Sequence, residues 1–313
     1  MTDITLQETG NDAARIVGAD GQVLAEYRYG EDKNHPFFSA IRPLNHPGVI
    51  SNTAPWDHRW HHGLWWSWKF INDVLYWEDH EGYGGNRIGL GRSHATSHGT
   101  DVVGAGGADV GNPGVLVSEI LEWRPDGESA PVLTEERTMH IHTDVAPTSA
   151  WAIDWNFSWT ATRSSLFTAT PYPENWWGGY GGLNFRAARS LAAGERIEAS
   201  GGRTGKAAVH GEAASWLAYS GNVDGAGTDD PDHPAFGGLV ILSHDANPNP
   251  RPPAYAFSAA DEFGFIAAAP LMHDDLALST GESLDMRFRT VIFGEQLTSD
   301  DFDSLHQQYN ATT

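Results

Sequence analysis

The segment from Trp151 to Thr160 alternates large apolar residues with small or polar ones at every position. A strict period of two places the two sets on opposite faces of a pleated strand, so the segment predicts a β-strand with one apolar face. It is the clearest strand signal in the chain.

Weaker alternation continues this pattern elsewhere in the chain, at residues 23–29, 138–143, 239–243 and 284–293. Clusters of Gly, Pro, Asn and Asp, which favour turns, separate these segments. One stretch has helical spacing, with Phe302, Leu305 and Tyr309 on a single face. The sequence therefore predicts an all-β fold: a large antiparallel β-sandwich that ends in a short C-terminal helix.

The length of the chain and its many turn-forming residues favour one large domain over residues 1–313. The 313 residues include 35 Gly and 17 Pro, and only 19% of them are charged. Glycine-rich stretches at 104–114 and 221–234 interrupt the strands, but strand patterns continue at the same spacing on both sides. We therefore expect long surface loops on one sandwich rather than linkers between domains.

Net charge, the lack of cysteine and the lack of nucleotide-binding motifs argue against several classes of partner and cofactor. There are 19 Lys and Arg residues against 41 Asp and Glu residues, a net charge of -22, which argues against nucleic acid and anionic membranes as partners. The absence of cysteine excludes disulfides, thiolate metal sites and a cysteine nucleophile. No P-loop or Gly-x-Gly-x-x-Gly motif is present, so we expect no nucleotide cofactor.

Targeting signals are not apparent either. Residues 1–20 lack the basic start and the apolar stretch of a secretory signal, and no window approaches eighteen apolar residues. These features predict a soluble, cytoplasmic protein.

Tryptophan and histidine are concentrated between residues 55 and 81. Six of the 13 tryptophans fall within 22 residues, at Trp56, Trp60, Trp65, Trp66, Trp68 and Trp77. Trp66 and Trp68 alternate with Trp65, Ser67 and Lys69, which favours a core position for the first two. Tryptophan packing alone does not account for the polar residues between them.

Those polar residues are histidines and carboxylates. His58, His61 and His62 follow Asp57, and Glu78 follows what the sequence predicts to be a hairpin at residues 71–73. Imidazole beside carboxylate suits metal binding or proton transfer, so His58, His62 and Glu78 are candidate metal ligands and a divalent ion is a candidate cofactor. On a strand, His61 and His62 would point to opposite faces.

Further candidates lie downstream. Arg87 stands in a glycine-bracketed Asn-Arg pair that could hold a ligand oxygen, and His94 and His98, at even steps on a predicted strand, could share one sheet face. A glycine-rich loop with exposed aromatics, which can stack on sugar rings, follows. Together with three residues from other segments, it supplies the candidate substrate-binding residues His46, Trp65, Glu174, Trp176, Tyr180, Arg186 and His210.

Residues 42–47 (Arg-Pro-Leu-Asn-His-Pro) and 57–65 (Asp-His-Arg-Trp-His-His-Gly-Leu-Trp) resemble the N-terminal signature of the PmoA-like family of bacterial proteins. Residues 181–186, 216–221 and 238–248 resemble its later blocks, so the likeness spans roughly residues 36–295. The family commonly has an arginine after the paired histidines, and this chain lacks it. Methane oxidation, which the family's label evokes, is not implied, because the chain has no membrane-spanning segment.

The resemblance implies a galactose-mutarotase-like supersandwich that acts on carbohydrate, with keto sugars as one class of substrate. Our first hypothesis is an enzyme that cleaves a glycoside by hydrolysis or elimination. In it, His62 acts as the base, Glu78 as the proton donor and Arg87 or Arg186 as the charge stabiliser, and His94 converges on the same site. A bound divalent ion could replace the arginine.

Two other hypotheses remain open at this point. One is an aldose 1-epimerase (mutarotase)-like sugar isomerase, in which a carboxylate such as Glu174 or Glu295 works with a histidine. The other is a non-catalytic carbohydrate-binding protein, in which the aromatics bind and the histidines only orient. In all three cases the partner is a small carbohydrate or glycoside, and the oligomeric state is left open.

Overall fold

The computed structural model describes residues 4–30, 33–44, 46–78, 89–103, 113–147, 149–169, 178–225, 235–259 and 263–311. The strands are β1 (Thr5–Glu8), β2 (Ala13–Val17), β3 (Val23–Arg28), β4 (Phe37–Ser39), β5 (Leu64–Ser67), β6 (Phe70–Ile71), β7 (Val74–Leu75), β8 (Gly91–Val103), β9 (Gly114–Pro125), β10 (Leu133–His142), β11 (Trp151–Ala161), β12 (Ser165–Thr168), β13 (Gly182–Arg186), β14 (Arg196–Ala199), β15 (Arg203–Thr204), β16 (Trp216–Asn222), β17 (Phe236–Ser243), β18 (Ala254–Ala259), β19 (Phe263–Ala268), β20 (Leu276–Leu278) and β21 (Ser283–Phe293). The helices are α1 (Lys206–Val209), α2 (Ser299–Ala311) and a 3-10 turn (Arg189–Ala192).

Two large antiparallel sheets pack face to face. One has eight strands in the order β1-β2-β3-β4-β5-β13-β19-β18, and the other has nine in the order β15-β14-β16-β17-β21-β11-β10-β9-β8. Between them, Trp66 of the first sheet meets Phe157 and Trp159 of the second at ring-centroid distances of 4.7 and 4.8 Å. The predicted all-β sandwich is confirmed, and so is the alternating strand, whose odd-numbered residues from 151 to 159 are all buried.

The eight-stranded sheet has two different buried faces. Along β5, Leu64 and Trp66 belong to the core between the sheets, whereas Trp65 belongs to a separate aromatic cluster. The neighbouring strands continue that cluster on the outer face with Phe37, Tyr255 and Phe265. Because side chains alternate across the pleat, one strand supplies both the core and a second apolar surface. The confirmed core positions of Trp66 and Trp68 follow from this alternation.

The predicted hairpin at residues 71–73 is also present. β6 pairs with β7, and Asn72 and Asp73 connect them with φ angles of 51° and 62°. Both central residues of a type I′ turn need positive φ, which Asn and Asp tolerate better than most residues. Asn72 also fixes the turn to the adjoining strand, because its side chain donates to Ser164 O and accepts from Leu166 N. This hairpin and its neighbours form a third sheet, in the order β20-β12-β6-β7.

The C-terminal helix is confirmed at Ser299–Ala311. Thr298 caps it: its Oγ1 accepts from the Asp301 backbone N–H, while Asp301 Oδ2 accepts from the Thr298 N–H, a reciprocal capping box. Phe302 and its apolar neighbours on the same helix face cover the outer face of the nine-stranded sheet, where Trp216 meets the Phe302 ring at 5.0 Å. No helix in the described ranges is long and apolar enough to cross a membrane.

An ionic network is buried between the two large sheets. Arg137 Nε donates to Glu135 Oε1 at 2.7 Å, and both side chains are fully buried. Glu135 Oε2 accepts from the indole N–H groups of Trp123 and Trp159, at 2.7 and 2.9 Å. A second carboxylate, that of Glu119, lies 3.9 Å from Arg137 Nη1 and makes its own hydrogen bonds. The guanidinium therefore carries the positive charge between two buried acids.

His94 and His98 do not share a sheet face. A bulge in β8 shifts the register between Ala95 and Ser97, so that His94 pairs with Glu122 and His98 with Glu119. Glu119 faces the interior and bonds His98 Nδ1 at 3.0 Å. Glu122, three residues further along β9, lies on the opposite, outward face of the sheet. The expectation of a shared face is wrong because the inserted residue reverses the alternation.

Candidate functional site

An aromatic–histidine cluster, formed by His58, His61, His62, Trp65, Trp77 and Phe265, lies on the outer face of the eight-stranded sheet. Trp65 is its centre: its ring meets His61 at 5.4 Å, His62 at 6.4 Å and Trp77 at 5.3 Å between centroids. Both neighbouring histidines thus contact one indole. The prediction that they point to opposite faces is wrong for this pair.

Local backbone geometry explains this placement. His61 and His62 precede β5 and lie in a turn, in which His61 N donates to His58 O and His62 bridges to Thr53. Gly63 ends the turn with a φ of +94°, and a Cβ at this position would lie 2.4 Å from the Phe38 carbonyl oxygen. Only glycine fits there, so strand alternation begins after the histidines and does not separate them.

Asp57 and His58 form the most organised polar group of the site. His58 Nδ1 lies 2.9 Å from Asp57 Oδ2, and the same carboxylate accepts from Arg186 Nη2 and Arg189 Nη2, each at 2.8 Å. Burial acts to raise the pKa of Asp57, but hydrogen bonds from His58 and Arg186 outweigh it, so this pKa lies below its ordinary value. The carboxylate is therefore ionised and held from three sides.

His58 is consequently a neutral base with a defined tautomer. Burial lowers its pKa, and the hydrogen bond and charge of Asp57 offset only part of that effect. Since the ionised carboxylate can only accept, Nδ1 carries the ring proton and Nε2 keeps its lone pair. The side chain is 37% exposed, whereas the whole His61 and His62 residues are only 4% and 3% exposed. Of the three imidazoles, that of His58 is the most open to a ligand.

A buried lysine lies on the other side of the cluster. Lys69 Nζ donates to Glu78 Oε1 and to the Tyr180 hydroxyl, both at 2.6 Å, and it lies 4.4 Å from the Tyr180 ring centroid and 5.7 Å from that of Trp77. Burial lowers the pKa of Lys69, against the opposing charge and hydrogen bond of Glu78. The Glu78 carboxylate is thus half of an ion pair.

Several buried polar atoms around the cluster have no hydrogen-bond partner within the described residues. They are Glu78 Oε2, His61 Nδ1, the indole nitrogens of Trp65 and Trp77, and two guanidinium nitrogens of Arg186. Buried polar groups are seldom left unpaired, and such atoms call for water or a ligand. Donors and an acceptor therefore surround the same aromatic surface.

Trp56 stands at the outer edge of this arrangement. Its side chain belongs to the loop that carries Asp57 and His58, and the residue is 72% exposed, the most exposed large apolar residue in the described part of the chain. The Arg189 guanidinium lies 5.6 Å from its ring centroid. A flat indole, two residues before His58 in the chain, is thus presented to solvent.

The structure brings most of the described candidate residues to this face. Tyr180 contacts Trp77, and Tyr255 in turn links Tyr180 to His210, whose Nδ1 lies 2.9 Å from Ala256 O. Burial lowers the pKa of His210. The candidates at this surface are His58, His62, Trp65, Glu78, Tyr180, Arg186 and His210.

Other candidates lie elsewhere. His46 stabilises a turn, where its Nδ1 accepts from Gly48 N and its carbonyl accepts from Gln22, and His94 lies on the outer face of the nine-stranded sheet. Glu295 bonds Ser149 at an exposed position. Arg87, Glu174 and Trp176 lie outside the described residues.

The metal hypothesis does not fit His58, His62 and Glu78. Their ligand atoms do not form a compact group among the described residues. His58 is hydrogen-bonded to Asp57, and Glu78 is hydrogen-bonded to Lys69. The group close enough to hold an ion is His140, His142 and Asp154, on β10 and β11.

At least two of the three residues of that second group already have partners. Asp154 accepts from the Arg289 guanidinium through both oxygens. His142 accepts the Asp144 N–H at Nδ1, and its Nε2 lies 3.3 Å from Asp154. The Arg289 guanidinium on Asp154 opposes the binding of a second positive charge at this group.

Sequence reasoning missed two residues of the site. Lys69 is at an even step from Trp65, so the alternation that buries Trp66 already predicts that Lys69 shares the face of Trp65. Arg189 gave no local signal, because it meets Asp57 across 132 positions of the chain.

The comparisons with known proteins identify a family. A family model described as "Family of unknown function (DUF6807)" matches residues 16–307, and the chain belongs to that family. No curated protein matches it in sequence. Among solved structures, it is similar to a chain named "Putative kojibiose phosphorylase from human microbiome", with a TM-score of 0.37 and 7% identity. All of this chain is covered, but it spans only 37% of that one.

Proposed function

We propose that this DUF6807 protein cleaves the glycosidic bond of an oxidised sugar, in which a ring ketone makes a neighbouring hydrogen acidic, and that His58 is the base. The observation that carries the proposal is the Asp57–His58 pair, which keeps a neutral imidazole at the surface of an aromatic cluster. The exposed indole of Trp56 and the unpaired polar atoms nearby support a hydroxyl-rich ligand.

The chemistry is an elimination. With the ketone at carbon 3 of the sugar, His58 Nε2 takes the proton from carbon 2, and the electrons of that C–H bond form the enolate. The enolate then collapses to a carbon 1–carbon 2 double bond as the bond from carbon 1 to the leaving oxygen breaks. That oxygen takes a proton from water, and the hydroxide that remains takes the proton from His58 Nε2, which restores the neutral imidazole. The products are an unsaturated keto sugar and a free alcohol. A C–H group beside a carbonyl is acidic enough for an imidazole to deprotonate it, even though burial lowers the pKa of His58.

This assignment changes the roles expected from the sequence. His58 replaces His62 as the base, because His62 is nearly enclosed. Glu78 is not assigned as the proton donor here, because its Oε1 lies 2.6 Å from Lys69 Nζ in a buried salt bridge. Arg186 and Arg189 hold Asp57, which makes Asp57 and both arginines positioning residues for the imidazole.

The proposal is tested with 4-nitrophenyl glucoside and its 3-keto derivative. We expect nitrophenolate release from the keto glycoside only, and a slower rate when carbon 2 carries deuterium. Equal release from both substrates would contradict elimination. Faster mutarotation of free glucose, with no nitrophenolate release from either glycoside, would instead support the epimerase hypothesis, and saturable binding without either reaction would support a binding protein.

The pH dependence of this reaction follows from the His58 pKa. Because burial lowers that pKa below the ordinary 6.5, the active neutral form persists through neutral pH, and kcat/KM should fall only on the acid side of pH 6.5. Asp57 raises the His58 pKa, so Asp57→Asn should move this acid limb to lower pH and reduce the plateau by about tenfold or more. Asp126→Asn, at an exposed ion pair, is the control. If the acid limb of the kcat/KM profile lies at the same pH in Asp57→Asn as in the wild type, Asp57 does not set the basicity of His58.

Substitution of Trp56 tests the sugar platform. Trp56→Ala should raise KM roughly fivefold, the equivalent of about 1 kcal/mol for a lost aromatic contact, with kcat and thermal stability unchanged. Ile120→Ala removes another exposed apolar side chain, on β9, and should change neither constant. A Trp56→Ala protein with the wild-type KM would show that the indole does not bind the sugar.

A further inference from the structure

A groove of about 610 Å³ opens beside the aromatic–histidine cluster. Arg28, Lys33 and Arg59 line it together with Ser39, Phe37 and His62. Phe37 stacks on His62 at 4.4 Å, and His62 in turn contacts Trp65. The groove therefore reaches His62, one of the imidazoles of the aromatic–histidine cluster.

The charge of this groove is opposite to that of the protein. Three of its lining residues are basic, and no Asp or Glu of the described ranges lines it, although the chain has 41 acidic residues and only 19 basic ones. Arg59 is exposed, and Arg28, with a side chain 50% exposed, lies 3.6 Å from the Glu26 carboxylate, which is outside the groove. A cleft lined by one sign of charge focuses its field on a ligand of the other sign.

The remaining lining groups suit a polar ligand. Thr53 is exposed at the groove and Phe37 offers an apolar surface, whereas the Ser39 and Ser51 hydroxyls already bond Glu26 O and Ile41 N. Arg59 is adjacent to His58 in the chain, and so it joins the base-bearing loop to the groove. A sugar with its reacting carbons near His58 could therefore extend a charged substituent toward Arg59 and Lys33.

We propose that the groove binds an anionic group, a carboxylate or a phosphate, carried by the sugar ligand. Arginine recognises both groups through paired N–H donors, and lysine adds a mobile point charge. The sugar part of this assignment rests on the proposed function, whereas the anion part rests on the groove alone. The substrate class becomes an acidic sugar, such as a hexuronide or a sugar phosphate.

The experiment is a calorimetric titration of the full chain with glucose, glucuronate, glucose 6-phosphate and inorganic phosphate. We expect at least one anionic sugar to bind about tenfold or more tightly than glucose, with an affinity that falls as salt is added. The two sugar anions separate the carboxylate source from the phosphate source, and inorganic phosphate measures the anion site without a sugar.

The double variant Arg59→Gln/Lys33→Gln should abolish the preference for the anion and leave glucose affinity unchanged. Arg163→Gln, which removes an exposed charge paired with Glu128 outside the groove, is the control and should keep the preference. Equal affinity for glucose and every anion, or a preference that survives in the double variant, would overturn the groove assignment.

Nitrophenolate release separates this inference from the proposed function. Groove-dependent anion binding without cleavage of any keto glycoside would support the groove and overturn the enzyme. Cleavage of neutral keto glucosides at the same kcat/KM as keto glucuronides would support the enzyme and overturn the groove.

Discussion

Replacing His58 by asparagine is expected to lower kcat for the keto glycoside by about 10²- to 10⁴-fold, the usual contribution of a positioned base. Asp57 holds His58 Nδ1, so the other ring nitrogen, Nε2, carries the lone pair that can accept a proton. Asparagine keeps a hydrogen bond to Asp57 but has no group that accepts a proton at neutral pH. Steady-state kinetics of nitrophenolate release measure the effect.

Two controls separate loss of a base from loss of structure. His58 is more than a third exposed, so the variant should retain the wild-type melting temperature. His306→Gln, on α2 at the opposite side of the sandwich, should retain full activity. In His58→Gly, added imidazole should restore part of the rate. Wild-type turnover in His58→Asn would exclude the proposed base.

Replacing Arg137 by methionine is expected to lower the free energy of unfolding by about 3–5 kcal/mol, because one member of a buried ionic network is removed. Methionine fills much of the space but leaves Glu135 and Glu119 as two buried carboxylates without their shared cation. The indole donors of Trp123 and Trp159 reach Glu135 but carry no charge to compensate it. Urea denaturation of wild type and variant gives the difference.

Arg163→Met is the matched comparison, since its ion pair with Glu128 is about half exposed on both sides. Exposed pairs contribute about 1 kcal/mol or less, so that variant should unfold close to the wild-type midpoint. Arg137→Lys keeps the charge but loses the planar guanidinium. Its decrease in the free energy of unfolding should lie between those of Arg137→Met and Arg163→Met. Equal midpoints for Arg137→Met and Arg163→Met would show that the buried network does not stabilise the fold.

Local pattern was sufficient for much of the fold. Period-two alternation predicted β11 and the core positions of Trp66 and Trp68, because burial of one sheet face leaves a direct mark on the sequence. The spacing of Phe302, Leu305 and Tyr309 predicted α2 for the same reason. The Asn72-Asp73 turn was readable because few residue pairs accept positive φ twice in succession.

The site was harder to predict, because its geometry depends on single interruptions of the pattern. One extra residue in β8 sends His94 and His98 to opposite faces, and the turn that ends at Gly63 places His61 and His62 on the same face. The Asp57 contact with Arg186 joins residues 129 positions apart, and alternation contains no information about such pairs. Composition could gather the histidines into one block, but only tertiary contacts select which imidazole is oriented and open.

The two faces of β5 place its adjacent tryptophans in different clusters. Trp66 is sealed between the large sheets, and Trp65 meets the histidines on the other side. A substitution at Trp65 would therefore disturb the outer aromatic cluster, whereas one at Leu64 or Trp66 would disturb the core between the large sheets. The outer face of this sheet and the loops above it can therefore change in sequence while the apolar core between the two large sheets keeps its packing.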